Sequence, residues 1–368
     1  MNHVSIKGEI MPEEFSIDIN DFSGIYRAMA DKANLNGDNT LSGEEISIFN
    51  EITKTYNHKK NTFIFDQKFY NESGKTDELY DNYKEPSVST YVYKPEQDIE
   101  ERKNTIAWQK VEKYVKNFKQ NSNKTIVVQK NINGKEVKFS YNRNSIENYI
   151  INEAVDSKGE KLTHFKDIPA IRKKAFFVRT KEEIYKLAEF NNMIQSAIDA
   201  GTEYGVDPKL IISIMQREVG FDGLNDNVTG INGKGYMQIT TIPIKDMLGG
   251  YTKNNKLHYT DKNKTNIYGP EFEELLKSRG FDANCPKEKK AELVNSIEKY
   301  LMENNDIDFN IRLGTLILRK YLNKYNGNIE LTAQNYNGNS KNNIKYKYGR
   351  AVKSYYELLS CNENPKKT

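Results

Sequence analysis

The chain of 368 residues carries 55 Lys and Arg against 51 Asp and Glu, for a net charge of +4. That length accommodates two or three domains, and a near-balanced charge without a basic block interleaved by aromatics argues against a nucleic-acid partner. Four scattered histidines argue against a zinc site, and no apolar run is long enough to span a membrane.

In chain order, the opening "MNHVSIKGEIMPEEF" lacks the basic start and apolar core of a secretory signal. Residues 22–32 read as a short helix, and a second helix begins at about Gly43, with Ile46, Phe49 and Ile52 on one face. From about Asn57 to Asp98 the chain is polar, Tyr-rich and aperiodic, the pattern of a long linker or wrapping segment. Residues 99–119 resume a helix around Ile106, Trp108, Val111, Tyr114 and Phe118. "TIVVQKNINGKEVKFSY" is a β-hairpin signal with Asn-Gly between its runs, and another helix starts at about Asn144. From Lys181 onward the pattern is strongly helical, with candidates at 181–203, 207–219, 242–248, 287–303, 307–325, 329–335 and 347–359. The fold class expected is mainly α: an N-terminal helical segment (1–60), a middle helical and β-hairpin region (61–180), and a helical C-terminal domain (181–362). Cys285 and Cys361 form either one disulfide or two thiols.

The loop between the first two helices reads "NLNGDNTLSGEE". Counting from Asn34, oxygen-bearing side chains fall at the first, third, fifth and ninth positions as Asn34, Asn36, Asp38 and Ser42. The Thr40 carbonyl falls seventh, Leu41 eighth and Glu45 twelfth. Calcium takes six to eight hard oxygen ligands, and this spacing wraps them round one point. The loop resembles an EF-hand, in which Glu45 supplies two oxygens from the start of the next helix. It departs from the pattern with Asn34 instead of Asp at the first position and Asn39 instead of Gly at the sixth. The alternative is an Asn-rich turn with no ion.

In "DPKLIISIMQREVGF", Asp207 and Pro208 mark a helix start. Ile211, Ile214 and Met215 form an apolar stripe whose next position is Glu218. Two further segments belong with it: "GKGYMQIT", containing Gly235, Tyr236, Met237, Gln238 and Ile239, and "AQNYNGN", containing Tyr336, Asn337 and Gly338. Glycosidic cleavage needs an acid that still holds its proton near neutral pH, and a Glu on an apolar stripe is desolvated, which raises its pKa. The plainer reading is a buried or half-buried helix-end glutamate paired with Arg217 or with a lysine elsewhere.

Taken together, the three segments resemble the lysozyme-like lytic transglycosylases and goose-type lysozymes, over about Lys181 to Ser360. The resemblance implies a lysozyme-like α domain and a peptidoglycan-cleaving enzyme acting on the MurNAc–GlcNAc β-1,4 bond. It implies Glu218 as general acid and base, a 1,6-anhydro-MurNAc end, and no cofactor for catalysis. Substrate would be held by Gly235, Tyr236, Met237, Gln238, Tyr336 and Asn337, with Tyr236 as a possible stacking surface in the groove. Calcium would be structural, and the location the cell envelope or beyond it. Asp222 and Asp226 are candidates for a second, hydrolytic carboxylate, though the motifs favour a single acid. Val219 stands where the family has Ser, and residues 248–306 exceed the family core, as a lid or an extended groove wall. The competing readings are a muramidase or chitinase-like hydrolase on the same fold, or a calcium-dependent wall-binding protein without turnover.

Overall fold

The computed structural model describes residues 16–53 (except 23), 56–57, 62–63, most of 107–132, 134–153, 165, 167–169, 181–221, 233–338 and 347–361. The chain forms two compact units, one of Ile10–Asn121 with Asp167–Asn191, the other of Met1–Glu9, Ser122–Lys166 and Asn192–Thr368. The described residues are mainly α, with small two-stranded antiparallel sheets.

In the first unit, β1 (Ser16–Asp18) leads through a 3-10 turn into α1 (Gly24–Ala33), and β2 (Thr40–Ser42) follows the polar loop into α2 (Gly43–Thr53). β1 and β2 pair with Ile17 opposite Leu41, and strand alternation buries both. Met29, Ala30 and Ala33 of α1 and Ile46, Ile48 and Phe49 of α2 complete this core. The Phe22 and Phe49 rings meet at 4.8 Å. Two short strands, β3 (Tyr56–Asn57) and β4 (Thr62–Phe63), pair antiparallel. Otherwise the expected linker to Asp98 lies outside the described residues.

In the second unit, β5 (Ile126–Ile132) and β6 (Lys135–Tyr141) form the expected hairpin. The helix expected from Asn144 is α3 (Arg143–Asn148), which widens into a π-helical turn, Tyr149–Glu153. α4 (Lys181–Tyr204) belongs to this unit from Asn192 onward, and α5 (Pro208–Val219) and α6 (Thr241–Met247) follow. Residues 248–306 are largely regular: a hairpin of β7 (Gly250–Lys253) and β8 (Lys256–Tyr259), then α7 (Thr265–Tyr268), α8 (Glu271–Ser278) and α9 (Lys290–Glu303). α10 (Ile307–Lys324), α11 (Ile329–Tyr336) and α12 (Lys347–Cys361) close the unit.

Residues 122–166 group with the C-terminal helices. Helix ends leave carbonyls without partners, and hairpin lysines supply donors. Lys130 Nζ reaches the Thr202 and Glu203 carbonyls at 2.9 and 3.2 Å, and Lys135 Nζ the Asn323 carbonyl at 3.3 Å. Arg143 bonds Glu147 at 3.0 Å and also Gln195 of α4. Cys285 and Cys361 are free thiols, and no described helix is long and apolar enough to cross a membrane.

α10 is buried almost all round, from Phe309 and Ile311 to Leu316, Ile317 and Leu318, as expected of a central helix. Several of its buried polar groups are paired. Thr315 Oγ1 donates to the Ile311 carbonyl at 2.7 Å, and Arg319 pairs with Glu271 at 3.0 Å while donating to the Tyr268 carbonyl. At Asp246, burial raises the carboxyl, but hydrogen bonds from Lys264, Lys320 and Tyr268 overcome it and hold the pKa at about 2.

Gly314 of α10 lies against Met237, and an added methyl there would stand 2.5 Å from Met237 Cβ. Overpacking costs roughly 1–3 kcal/mol, against the roughly 1 kcal/mol that Ala gains over Gly in a helix. Gly314→Ala is therefore expected to lower the urea midpoint with an unchanged slope, and a higher midpoint would contradict this packing.

Candidate active site

Glu218 sits half-buried one residue before the end of α5. The Asp207 side chain caps the helix start by accepting from the Lys209 N–H at 3.0 Å, with Pro208 at the first position. The left-handed Gly220 ends it. Everything from Pro208 to Gln216 is buried, so the helix is fixed on all sides before it delivers the carboxylate.

Two other helices meet that carboxylate. The Tyr348 hydroxyl, at the start of α12, donates to Glu218 Oε1 at 2.5 Å. Arg217 lies over the Tyr348 ring, 5.6 Å from its centre. At the far end of α12, the Tyr356 hydroxyl donates to Asp207 Oδ2 at 2.9 Å. α12 thus runs antiparallel along α5, with one tyrosine at each end. Asn337, just past α11, also hydrogen-bonds Glu218. On another part of α5, the Tyr149 hydroxyl donates to Gln216 Oε1.

Burial raises the Glu218 carboxyl above the ordinary glutamate range, and this outweighs the lowering by the Tyr348 hydrogen bond, the Arg217 charge and Asn337. The Tyr336 and Tyr348 hydroxyls are pushed far up by burial and by the Glu218 charge. Both phenols therefore keep their protons and stay donors. A desolvated carboxyl with a raised pKa, held by a fixed phenol donor, is suited to release a proton and then accept one.

The second motif forms a tight turn beside α10. Lys234 and Ile239 bridge through both backbone bonds, at 3.1 and 3.0 Å. Asn310 of α10 clamps the turn, accepting from the Met237 N–H at 2.9 Å and donating to the Lys234 carbonyl at 2.8 Å. Gly235 has φ +66, and a Cβ there would collide with the Asn310 amide, so both backbone and space require glycine. The Tyr336 hydroxyl donates to the Met237 carbonyl at 2.7 Å and ties α11 to the turn.

Several residues of the expected substrate set make contacts within the fold. Tyr236 and Met237 are fully buried. The Gln238 Nε2 donates to the Gly235 carbonyl at 3.0 Å, so this donor braces its own turn. Asn337 and Glu218 are brought together, and Tyr336 faces the turn. Asp222 and Asp226 lie outside the described residues. Tyr348, Asn310 and Tyr149 were not singled out from the sequence.

The N-terminal loop has the turn geometry its spacing implies. Asn39 takes φ 65 at the sixth position. Asn34 Oδ1 accepts from the Gly37 N–H at 2.8 Å, Asn36 Oδ1 from Asp38 at 3.0 Å, and Asp38 Oδ1 from Thr40 at 2.8 Å. Glu45 is buried, with Oε1 taking the Leu35 N–H at 2.9 Å and Oε2 the Ser42 N–H at 3.2 Å. Thr40, Leu41 and Ser42 form β2, and β1 is their strand partner. The donor set is all oxygen with two carboxylates, which fits a hard cation such as calcium.

Comparison with protein-family models, with curated proteins and with solved structures gives no match.

The raised Glu218 pKa makes a stability prediction. The folded protein binds more protons than the unfolded chain between about pH 4.3 and the raised value, so stability falls as pH rises through that window. Thermal unfolding should therefore find Glu218→Gln as stable as wild type below about pH 4 and more stable at neutral pH. A neutral-pH loss in this variant would contradict the assignment.

Proposed function

We propose that the chain cleaves peptidoglycan as a lytic transglycosylase. Glu218 would protonate the glycosidic oxygen of the MurNAc–GlcNAc bond, then take the proton of the sugar 6-hydroxyl as the 1,6-anhydro end forms. What carries the reading is the half-buried Glu218, raised by desolvation and held by Tyr348 beside Asn337. The motif resemblance over about Lys181 to Ser360 supports it. Tyr348 would orient the carboxyl and Asn337 would serve the carboxyl and the sugar, while Tyr336 and Asn310 hold the turn.

Incubation of purified sacculi tests this. General-acid removal costs about a hundredfold or more, so Glu218→Gln should release almost no soluble muropeptides while remaining folded. Mass spectrometry of wild-type products should give anhydro-muramic ends. Reducing ends would instead favour a hydrolase. Binding without any release would favour a non-catalytic wall-binding protein, a reading favoured by Val219 in the serine position and by the buried Tyr236.

For the N-terminal loop we propose calcium binding by Asn34, Asn36, Asp38, the Thr40 carbonyl, Ser42 and Glu45. The ion would be a structural clip between α1 and α2. A ligand at a hundredfold its Kd stabilises by about 2.7 kcal/mol, so calcium should raise the wild-type Tm, with most of the gain lost in Glu45→Gln. A wild-type Tm indifferent to calcium would exclude the site.

A further inference from the structure

The β7–β8 hairpin presents chemistry that the fold itself does not use. Its tip, Asn254 and Asn255, has φ 50 and 59, the left-handed pair of a type I′ turn, which matches strand twist. The register places Tyr251 opposite His258 and Lys253 opposite Lys256. Opposite residues, and those two apart, share a face of an antiparallel ribbon, so all four side chains stand on one face. All four are exposed, and the rings of Tyr251 and His258 stack at 5.5 Å with 27° between their planes.

That face is costly in isolation. Like charges directly opposite on a ribbon are destabilising, and nothing among the described residues neutralises Lys253 or Lys256. Asp261, just beyond the hairpin, lies 3.8 Å from Lys287 instead. The base is firmly set. Thr260 N–H bonds the Gly249 carbonyl at 3.1 Å, and a Cβ on Gly250 would stand 2.7 Å from the Lys245 carbonyl of α6. α6 has seven residues, so only about 10 Å of helix separates the hairpin from the turn that carries Met237 and Gln238.

We infer that this face is an outer subsite for peptidoglycan: Tyr251 and His258 stack on a sugar ring, and Lys253 and Lys256 take the carboxylates of the stem peptides. The inference rests on the proposed function. It adds a recognition element on residues beyond the family core. Stacked rings beside two unneutralised ammonium groups suit a polymer that alternates sugar faces with carboxylates, and an uncharged glycan would use only half of the face.

The test uses the full chain with Glu218→Gln, so that the wall is not digested, and sacculi stripped of teichoic acid. Tyr251→Ala with Lys253→Glu and Lys256→Glu is added, all at exposed positions, with unchanged circular dichroism and Tm as the folding control. Co-sedimentation should show about tenfold weaker binding by the hairpin variant, with the gap narrowing as salt rises. Binding to uncharged chitin should show a smaller gap. Equal binding by parent and variant overturns the inference, and so does parent binding that vanishes once teichoic acid is removed. Fragment release by the protein with Glu218 intact is read separately, in the supernatant. No release there, with hairpin-dependent pelleting, overturns the proposed function and leaves the hairpin as a wall-binding face.

Discussion

The cost of removing one carboxyl from water organises the C-terminal unit. Glu218 stands at the end of an apolar helix, where burial disfavours its charge. A carboxylate left there without partners would be expensive, and the Tyr348 hydroxyl and Asn337 offset part of that cost. The remaining imbalance leaves the group above the ordinary glutamate range. Under the proposed function that imbalance has chemical value, since a general acid must retain its proton where the reaction runs.

Holding such a balance requires rigid supports, and they come from distant segments. α12 grips α5 at both ends through Tyr348 and Tyr356, so the distance between the phenol and the carboxyl is set by two contacts. The central α10 supplies Asn310, whose amide bonds both sides of the Gly235 turn. Gly314, one turn further along α10, lets Met237 approach closely. Tyr149, on the π-helical turn, braces α5 through Gln216. π-helical turns are rare and occur often near functional sites.

The parts legible in the sequence were those encoded locally. The Asp207–Pro208 start, the apolar stripe and the ends of α10 and α11 follow from caps and helical spacing, and the structure places them within a residue or two. The Asn-Gly hairpin was equally plain. Tyr348 was not: it meets Glu218 across 130 residues, and a tyrosine one residue into a helix carries no local sign of its partner. Asn310 was hidden for the same reason, as one of several polar residues on α10 whose partners lie more than seventy residues away. The β7–β8 turn escaped because Asn-Asn in a lysine-rich stretch lacks the glycine that usually announces a type I′ turn. Tyr236 was read from its motif as a stacking surface, and in the structure it is buried within the turn that Asn310 clamps.

The most direct measurement is the pH titration of the Glu218 side-chain carboxyl by carbon-detected NMR, in wild type and in Tyr348→Phe. A desolvated acid steadied by a phenol should titrate above the ordinary glutamate range in wild type. It should move higher still in Tyr348→Phe, because the lost hydrogen bond favours the ionised form. An ordinary glutamate value in wild type, or a downward move in the variant, would contradict the account.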